Sequence, residues 1–192
     1  MNRIVITGNP GVGKHTIGVA VAKKLNYTVI DLNKFVIIND ATFKSSPAAE
    51  SSLDINVRVA SRALKKELNK GENLVIIGHL APYLLRSNQV DFVAILRKYP
   101  KHLIQVYKKR KYSVSKIKEN ITCEILGTCS YDVLRQFDRA KIAEFDTSTR
   151  STSEMVRVIL QAVNTNSRRS FGIIDWISKI ENEREIMNLI LT

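Results

Sequence analysis

Short apolar runs alternate with stretches of helical spacing along nearly the whole chain. Ile4-Val5-Ile6-Thr7, Tyr27-Thr28-Val29-Ile30, Asn73 to Ile77 and Val90 to Leu96 have the length and β-branched content of buried strands. Between them, Ile17, Ala20, Val21 and Leu25 recur at helical intervals, as do Ile55, Val59, Ala63, Leu64 and Leu68. Leu103, Ile104, Val106 and Tyr107 mark a further helix, and a long helical region is predicted from about Ser115 to Ala143. Glu144-Phe145-Asp146 reads as a short strand, Ser151-Thr152-Ser153-Glu154 as a capping box, and Ile173 to Ile180 as a last amphipathic helix with Trp176 packed on the body. Residues from about 33 to 54 are less regular, broken by Ser45-Ser46-Pro47 and Ser51-Ser52. The alternation predicts an α/β fold, a parallel sheet flanked by helices, with ligands at the carboxyl ends of its strands. No repeat or low-complexity linker interrupts it, so residues 1–192 are expected to form a single domain.

The junction after the first strand carries the candidate chemistry. Gly8-Asn9-Pro10-Gly11-Val12-Gly13-Lys14 runs from a strand into the helix opened by Lys14-His15-Thr16-Ile17. That order gathers backbone N–H groups and a helix N-terminus around one point, which suits phosphate. Lys14 adds a charge for the β- and γ-phosphates, and strand, spacing, lysine and helix together make this a P-loop. One position departs from the pattern. The Ser or Thr that usually follows the lysine and binds Mg²⁺ is His15 here, with Thr16 next. An imidazole is a poor ligand for so hard a cation, so His15 either points away or touches phosphate, and Thr16 supplies the nearby hydroxyl.

The 30 basic and 18 acidic residues give a net charge of +12. Arg97, Lys98, Lys101, Lys108, Lys109, Arg110, Lys111, Lys116 and Lys118 occupy one stretch without a carboxylate among them. Such a field attracts nucleotides and RNA, and it also fits a solvated surface. No apolar run reaches the roughly 18–20 residues of a membrane span, so no membrane partner is expected. Cys123 and Cys129 are expected on one helix, without the neighbours of a zinc site, and a reducing cytoplasm is the expected location.

Further motifs give a more specific likeness. Val29-Ile30-Asp31-Leu32-Asn33, Gly78-His79-Leu80, Ile95-Leu96-Arg97, Arg110-Lys111-Tyr112-Ser113, Lys116 to Ile121, Cys123 to Gly127 and Glu144 to Ser148 follow the P-loop in order. With them the chain resembles the archaeal adenylate kinases that are relatives of eukaryotic adenylate-kinase-like ATPases of small-subunit ribosome maturation. The likeness covers all but about the last ten residues. It implies a nucleoside monophosphate kinase core using ATP and Mg²⁺, with an NMP-binding segment at about 33–54 and a lid at about 110–120. It also implies ATPase activity and a link to ribosomal protein uS11 and pre-rRNA of the small ribosomal subunit.

On that resemblance, Gly11, Gly13, Lys14, His15 and Thr16 hold the triphosphate, and Arg110 swings onto the phosphates from the lid. Arg97, at a strand end, is a second candidate for a catalytic arginine. His79 follows a buried strand in a motif whose acidic position is Ile77 here. It therefore reads either as a hydrolysis residue or as a structural histidine, and the metal ligands stay unassigned. Asp31 and Asp54 bracket the NMP segment, where capping is as good an account as metal or acceptor binding. Asp146 reads as structural, capping the turn toward the helix that starts near Ser151. Three readings follow: transfer of phosphate from ATP to AMP or another monophosphate; a ribosome-assembly ATPase that binds uS11 or pre-rRNA and uses nucleotide as a switch; or, given His15 and Ile77, a degenerate nucleotide-binding module with little turnover.

Overall fold

A computed structural model describes residues 2–43, 54–165 and 171–191. In chain order the main elements are β1 (Arg3–Gly8), α1 (Lys14–Leu25), β2 (Thr28–Asp31), α2 (Leu32–Ile38), β3 (Thr42–Phe43), β4 (Asp54–Ile55), α3 (Val57–Leu68), β5 (Leu74–Ile77) and α4 (Ala81–Leu84). They continue with β6 (Phe92–Arg97), α5 (Pro100–Lys109), α6 (Val114–Leu126), α7 (Thr128–Gln136), β7 (Ile142–Asp146), α8 (Thr152–Asn164), α9 (Trp176–Ile180) and α10 (Arg184–Leu191).

Five strands form one parallel sheet in the order β2-β5-β1-β6-β7. Alternation along each strand divides the core. Ile4 and Ile6 join Val75, Ile77, Leu96, Ile104, Ile117 and Ile159 on one face, while Val5 joins Leu64, Ile76, Val93, Ile95 and Val133 on the other. Burial on both faces explains why the strands read as continuous apolar runs. The register sets Asp31 beside Ile77, and Ile77 beside Ile6, so the ends of β2, β5 and β1 open on one crevice. The strand order changes direction around β1, where ligands bind in sheets of this kind.

Most of the expected alternation is present, and the exceptions have local causes. The long helix expected from Ser115 to Ala143 is two helices, because Gly127 takes a left-handed φ of 66° between α6 and α7. A side chain there would meet Arg97 Nη1 at 3.3 Å from Cβ. The chain is already in β7 by Ile142, so Ala143 is strand. Cys123 and Cys129 consequently lie on consecutive helices, as free thiols. The helix expected from Ile173 starts only at Trp176, where Asp175 caps it by accepting from Ser178 N at 3.3 Å. The capping box forms, with Ser151 N donating to Glu154 Oε2 at 2.8 Å and Glu154 N to Ser151 Oγ at 3.3 Å. Of the expected NMP segment, α2 and the β3–β4 pair are seen, and residues 44–53 lie outside the described residues. Among the described residues, no helix is long and apolar enough to cross a membrane.

Candidate active site

The loop after β1 is shaped by glycine. Gly8 has φ 140°, and a Cβ on it would lie 2.2 Å from Leu96 O, so only glycine lets β1 leave the sheet beside β6. Side chains from distant elements then brace the loop. Asn9 Nδ2 donates to Glu124 Oε2 at 2.7 Å, Tyr107 Oη to Pro10 O at 2.6 Å, and Thr147 Oγ1 to Val12 O at 2.9 Å. No side chain caps α1 at Gly13, which leaves the first-turn amides available to an anion.

The loop forms one wall of a cleft of about 310 Å³. Gly11, Gly13, Lys14, His15, Thr16, His79 and Arg110 all line it, together with Pro10, Asp31, Asn33, Ile77, Gly78 and Tyr112. Lys14 Nζ donates to Asn9 O at 3.0 Å. Burial lowers its pKa from 10.5 to about 8; Arg110 pushes the same way, against Cys129, Asp31 and Glu124. His79 opens on the cleft, and its pKa also falls, first by desolvation and then by the charge of Lys14. The neutral imidazole is therefore favoured beside the ammonium.

His15 Nδ1 lies 3.0 Å from Asp31 Oδ2. Asp31 Oδ1 accepts from Asn33 N at 3.0 Å and Lys34 N at 3.3 Å, capping α2. One carboxylate thus fixes a helix and orients the imidazole that follows the lysine. Across the cleft, Arg110 is exposed at the end of α5. The chain turns there through Lys111, whose φ is 56°. Tyr112 stacks on Tyr107 at 5.4 Å between ring centres, and Lys116 lies 4.7 Å from the Tyr112 ring centre. Since Tyr107 also holds Pro10, the Arg110 turn and the phosphate loop share a single aromatic brace.

Arg97 does not line the cleft, which corrects its expected place as a second candidate catalytic arginine. It is 3% exposed and donates through Nε to Glu124 Oε1 at 2.7 Å, and through Nη1 to Glu144 Oε1 at 2.9 Å and Ser130 Oγ at 3.2 Å. Nη2 donates to Glu124 O at 2.6 Å, so all three guanidinium nitrogens are engaged. Asp146 is structural as expected, accepting from Ser148 N at 2.8 Å. Tyr112, Asn33 and Pro10 are cleft residues that the sequence reading did not single out. Tyr112 stood within the quoted Arg110-to-Ser113 motif, which was its available signal.

The side chains present do not fit a protein-held Mg²⁺. Hard cations of this type take oxygen ligands, and a P-loop ordinarily offers a hydroxyl after the lysine and a carboxylate at a neighbouring strand end. Here those positions are His15 and the buried Ile77, and Asp31 has both oxygens engaged. Among the described residues, no group of three or more His, Cys, Asp or Glu side chains could hold a metal ion.

A family model described as an AAA domain matches residues 4–127. A Pyrococcus furiosus protein named "Putative adenylate kinase" is 32% identical over 178 residues, covering 93% of this chain and 93% of that protein. A Thermococcus kodakarensis protein of the same name is 31% identical over 173 residues, 90% of this chain and 92% of its own. Shikimate kinase from Acinetobacter baumannii, solved in complex with shikimate, superposes with a TM-score of 0.59 at 16% identity, covering 87% of this chain and 95% of that one. This last likeness establishes the fold alone. The family match over residues 4–127, with archaeal relatives that align along nearly the whole sequence, shows that the chain belongs to the AAA-domain family of P-loop proteins.

Proposed function

We propose that the protein is an ATP-dependent nucleoside monophosphate kinase of the adenylate kinase type, converting ATP and AMP to two ADP. The observation that carries this reading is the single cleft in which uncapped first-turn amides, Lys14 and Arg110 converge. Phosphoryl transfer asks the protein for alignment and charge neutralisation more than for covalent chemistry. The amides from Gly11 to Thr16 and the Lys14 ammonium hold the triphosphate. An oxygen of the monophosphate attacks the γ-phosphorus as the bond to the β–γ bridging oxygen breaks. Arg110 meets the charge on the transferred group, its rigid donor fork matching phosphate oxygens. The segment at 110–120, made of the Arg110 turn and the start of α6, acts as the lid, and the segment at 33–54 accepts the monophosphate. His79, whose neutral form is favoured, is a hydrogen-bonding group on the cleft wall.

The test is coupled diphosphate formation from ATP with AMP, CMP, UMP or GMP, beside Lys14→Ala. Diphosphate production lost in the variant supports the kinase and identifies its acceptor. Undiminished production in Lys14→Ala would remove the site assignment.

A second reading, an assembly ATPase for the small ribosomal subunit, is favoured by a different surface. A groove of about 720 Å³ begins at Arg3, the start of β1, at the opposite end of the sheet from the phosphate loop. Arg62, Lys65 and Arg86 also line it, and among the described residues no carboxylate does, which suits pre-rRNA. Phosphate release without acceptor phosphorylation, with uS11 or RNA binding that changes between apo and ATP states, would support it. Equal binding in both states would count against a switch.

A further inference from the structure

We propose that nucleoside triphosphate binding by this chain is nearly independent of Mg²⁺, because Lys14, His15 and Arg110 face the phosphates directly and no side chain holds the metal. The inference rests on the nucleotide-binding reading above and concerns how that cleft selects its ligand.

Both protein oxygens of the usual arrangement are missing, and each replacement is locked. His15 Nδ1 is committed to Asp31 at 3.0 Å, which leaves Nε2 as the free polar atom of the ring. Ile77 is pressed against α1: a Cβ on Gly18 would come within 2.5 Å of Ile77 Cδ1. The strand end therefore presents a packed hydrocarbon where a carboxylate ordinarily stands. Asp31 could serve a metal only by releasing His15 or the amides of Asn33 and Lys34. Thr16 offers a hydroxyl, but it stands one residue further, about 100° around the helix.

The charge balance points the same way. Lys14 and Arg110 line the cleft against the single carboxylate of Asp31. Chelation by Mg²⁺ neutralises part of the triphosphate charge and so weakens its attraction to these cations. Where a protein supplies metal ligands, new contacts compensate for that loss. This cleft offers only the offset hydroxyl of Thr16 and the already engaged Asp31, so the free triphosphate gains at least as much from it as the chelate does.

The experiment is calorimetric titration of the full chain with ATP at pH 7, in excess Mg²⁺ and in EDTA at equal ionic strength. The two dissociation constants are expected to agree within about threefold, with free ATP the tighter. Free ATP binding weaker by about tenfold or more would overturn the inference while leaving the nucleotide site intact. Absence of binding in both conditions would overturn the nucleotide reading itself, and this inference with it. The double variant His15→Ser/Ile77→Asp returns both oxygens, and Mg²⁺ is expected to tighten its binding by about tenfold. A variant that keeps the native melting profile yet gains no Mg²⁺ dependence would also overturn the proposal.

Discussion

Arg97 Nε and Glu124 Oε1 lie 2.7 Å apart with both side chains withdrawn from solvent, directly behind the phosphate loop. Glu124 also takes Asn9 from the loop, the Lys98 amide and the Trp176 indole. Arg97 takes Glu144 on β7 as a second carboxylate. Burial on its own would lower the arginine's pKa, but Glu124 and then Glu144 outweigh it and raise it. Removal of the cation would strand two buried carboxylates. Arg97→Ala is therefore expected to lose about 3–5 kcal/mol of stability, read by urea denaturation. Arg97→Lys should recover only part of this, since one ammonium cannot reproduce the fork.

Lys14 sets a pH dependence. Its free-state pKa of about 8 means that the ammonium discharges as pH rises through 8, and bound phosphates pull the value back up. ATP affinity should fall from pH 7 to pH 9, and binding at pH 8.5 should take up a proton. Titrations in buffers of different ionisation enthalpy measure that uptake, and Lys14→Met should abolish it.

Arg110 is exposed, and it is the backbone N–H of this residue that closes the end of α5. Arg110→Ala should leave the melting temperature unchanged and lower the rate of diphosphate formation by about 10³-fold or more, as for other catalytic arginines. An unaltered rate would dismiss the lid assignment.

The Tyr107 hydroxyl is a stability element with a functional consequence. Tyr107→Phe deletes the bond to Pro10 O, at an expected cost of about 0.5–1.5 kcal/mol. Because Pro10 belongs to the phosphate loop, the variant should also weaken ATP binding while its far-ultraviolet dichroism stays native. Thermal melts and nucleotide titrations of the same preparation separate the two effects.

What could be read from sequence was local. Gly8 to Lys14 declares a phosphate loop because spacing and residue type are themselves the geometry, and the apolar runs declare a sheet covered on both faces. Arg97 shows the limit. In the sequence it stands at the head of a basic stretch, and nothing there says that Glu124 and Glu144 fold over it. Gly127 likewise gave no sign that Arg97 would occupy the space beside it and divide the long helix. The pairing of His15 with Asp31 depends on β2 lying next to β5, an order that adjacency in the chain does not predict. Tyr112 was visible as a motif residue, but its stacking on Tyr107 is a tertiary fact.

Trp176 is the chain's single tryptophan, 1% exposed, and its Nε1 donates to Glu124 Oε1 at 2.9 Å. Lys179 and Arg97 place positive charge 5.0 and 6.0 Å from the ring centre. The other oxygen of Glu124 holds Asn9, so the indole stands two hydrogen bonds from the phosphate loop. Red-edge-excited fluorescence of the unlabelled protein therefore comes from one chromophore in one electrostatic environment. Any ligand that displaces Asn9 alters the field at that ring, which gives the loop a built-in optical gauge.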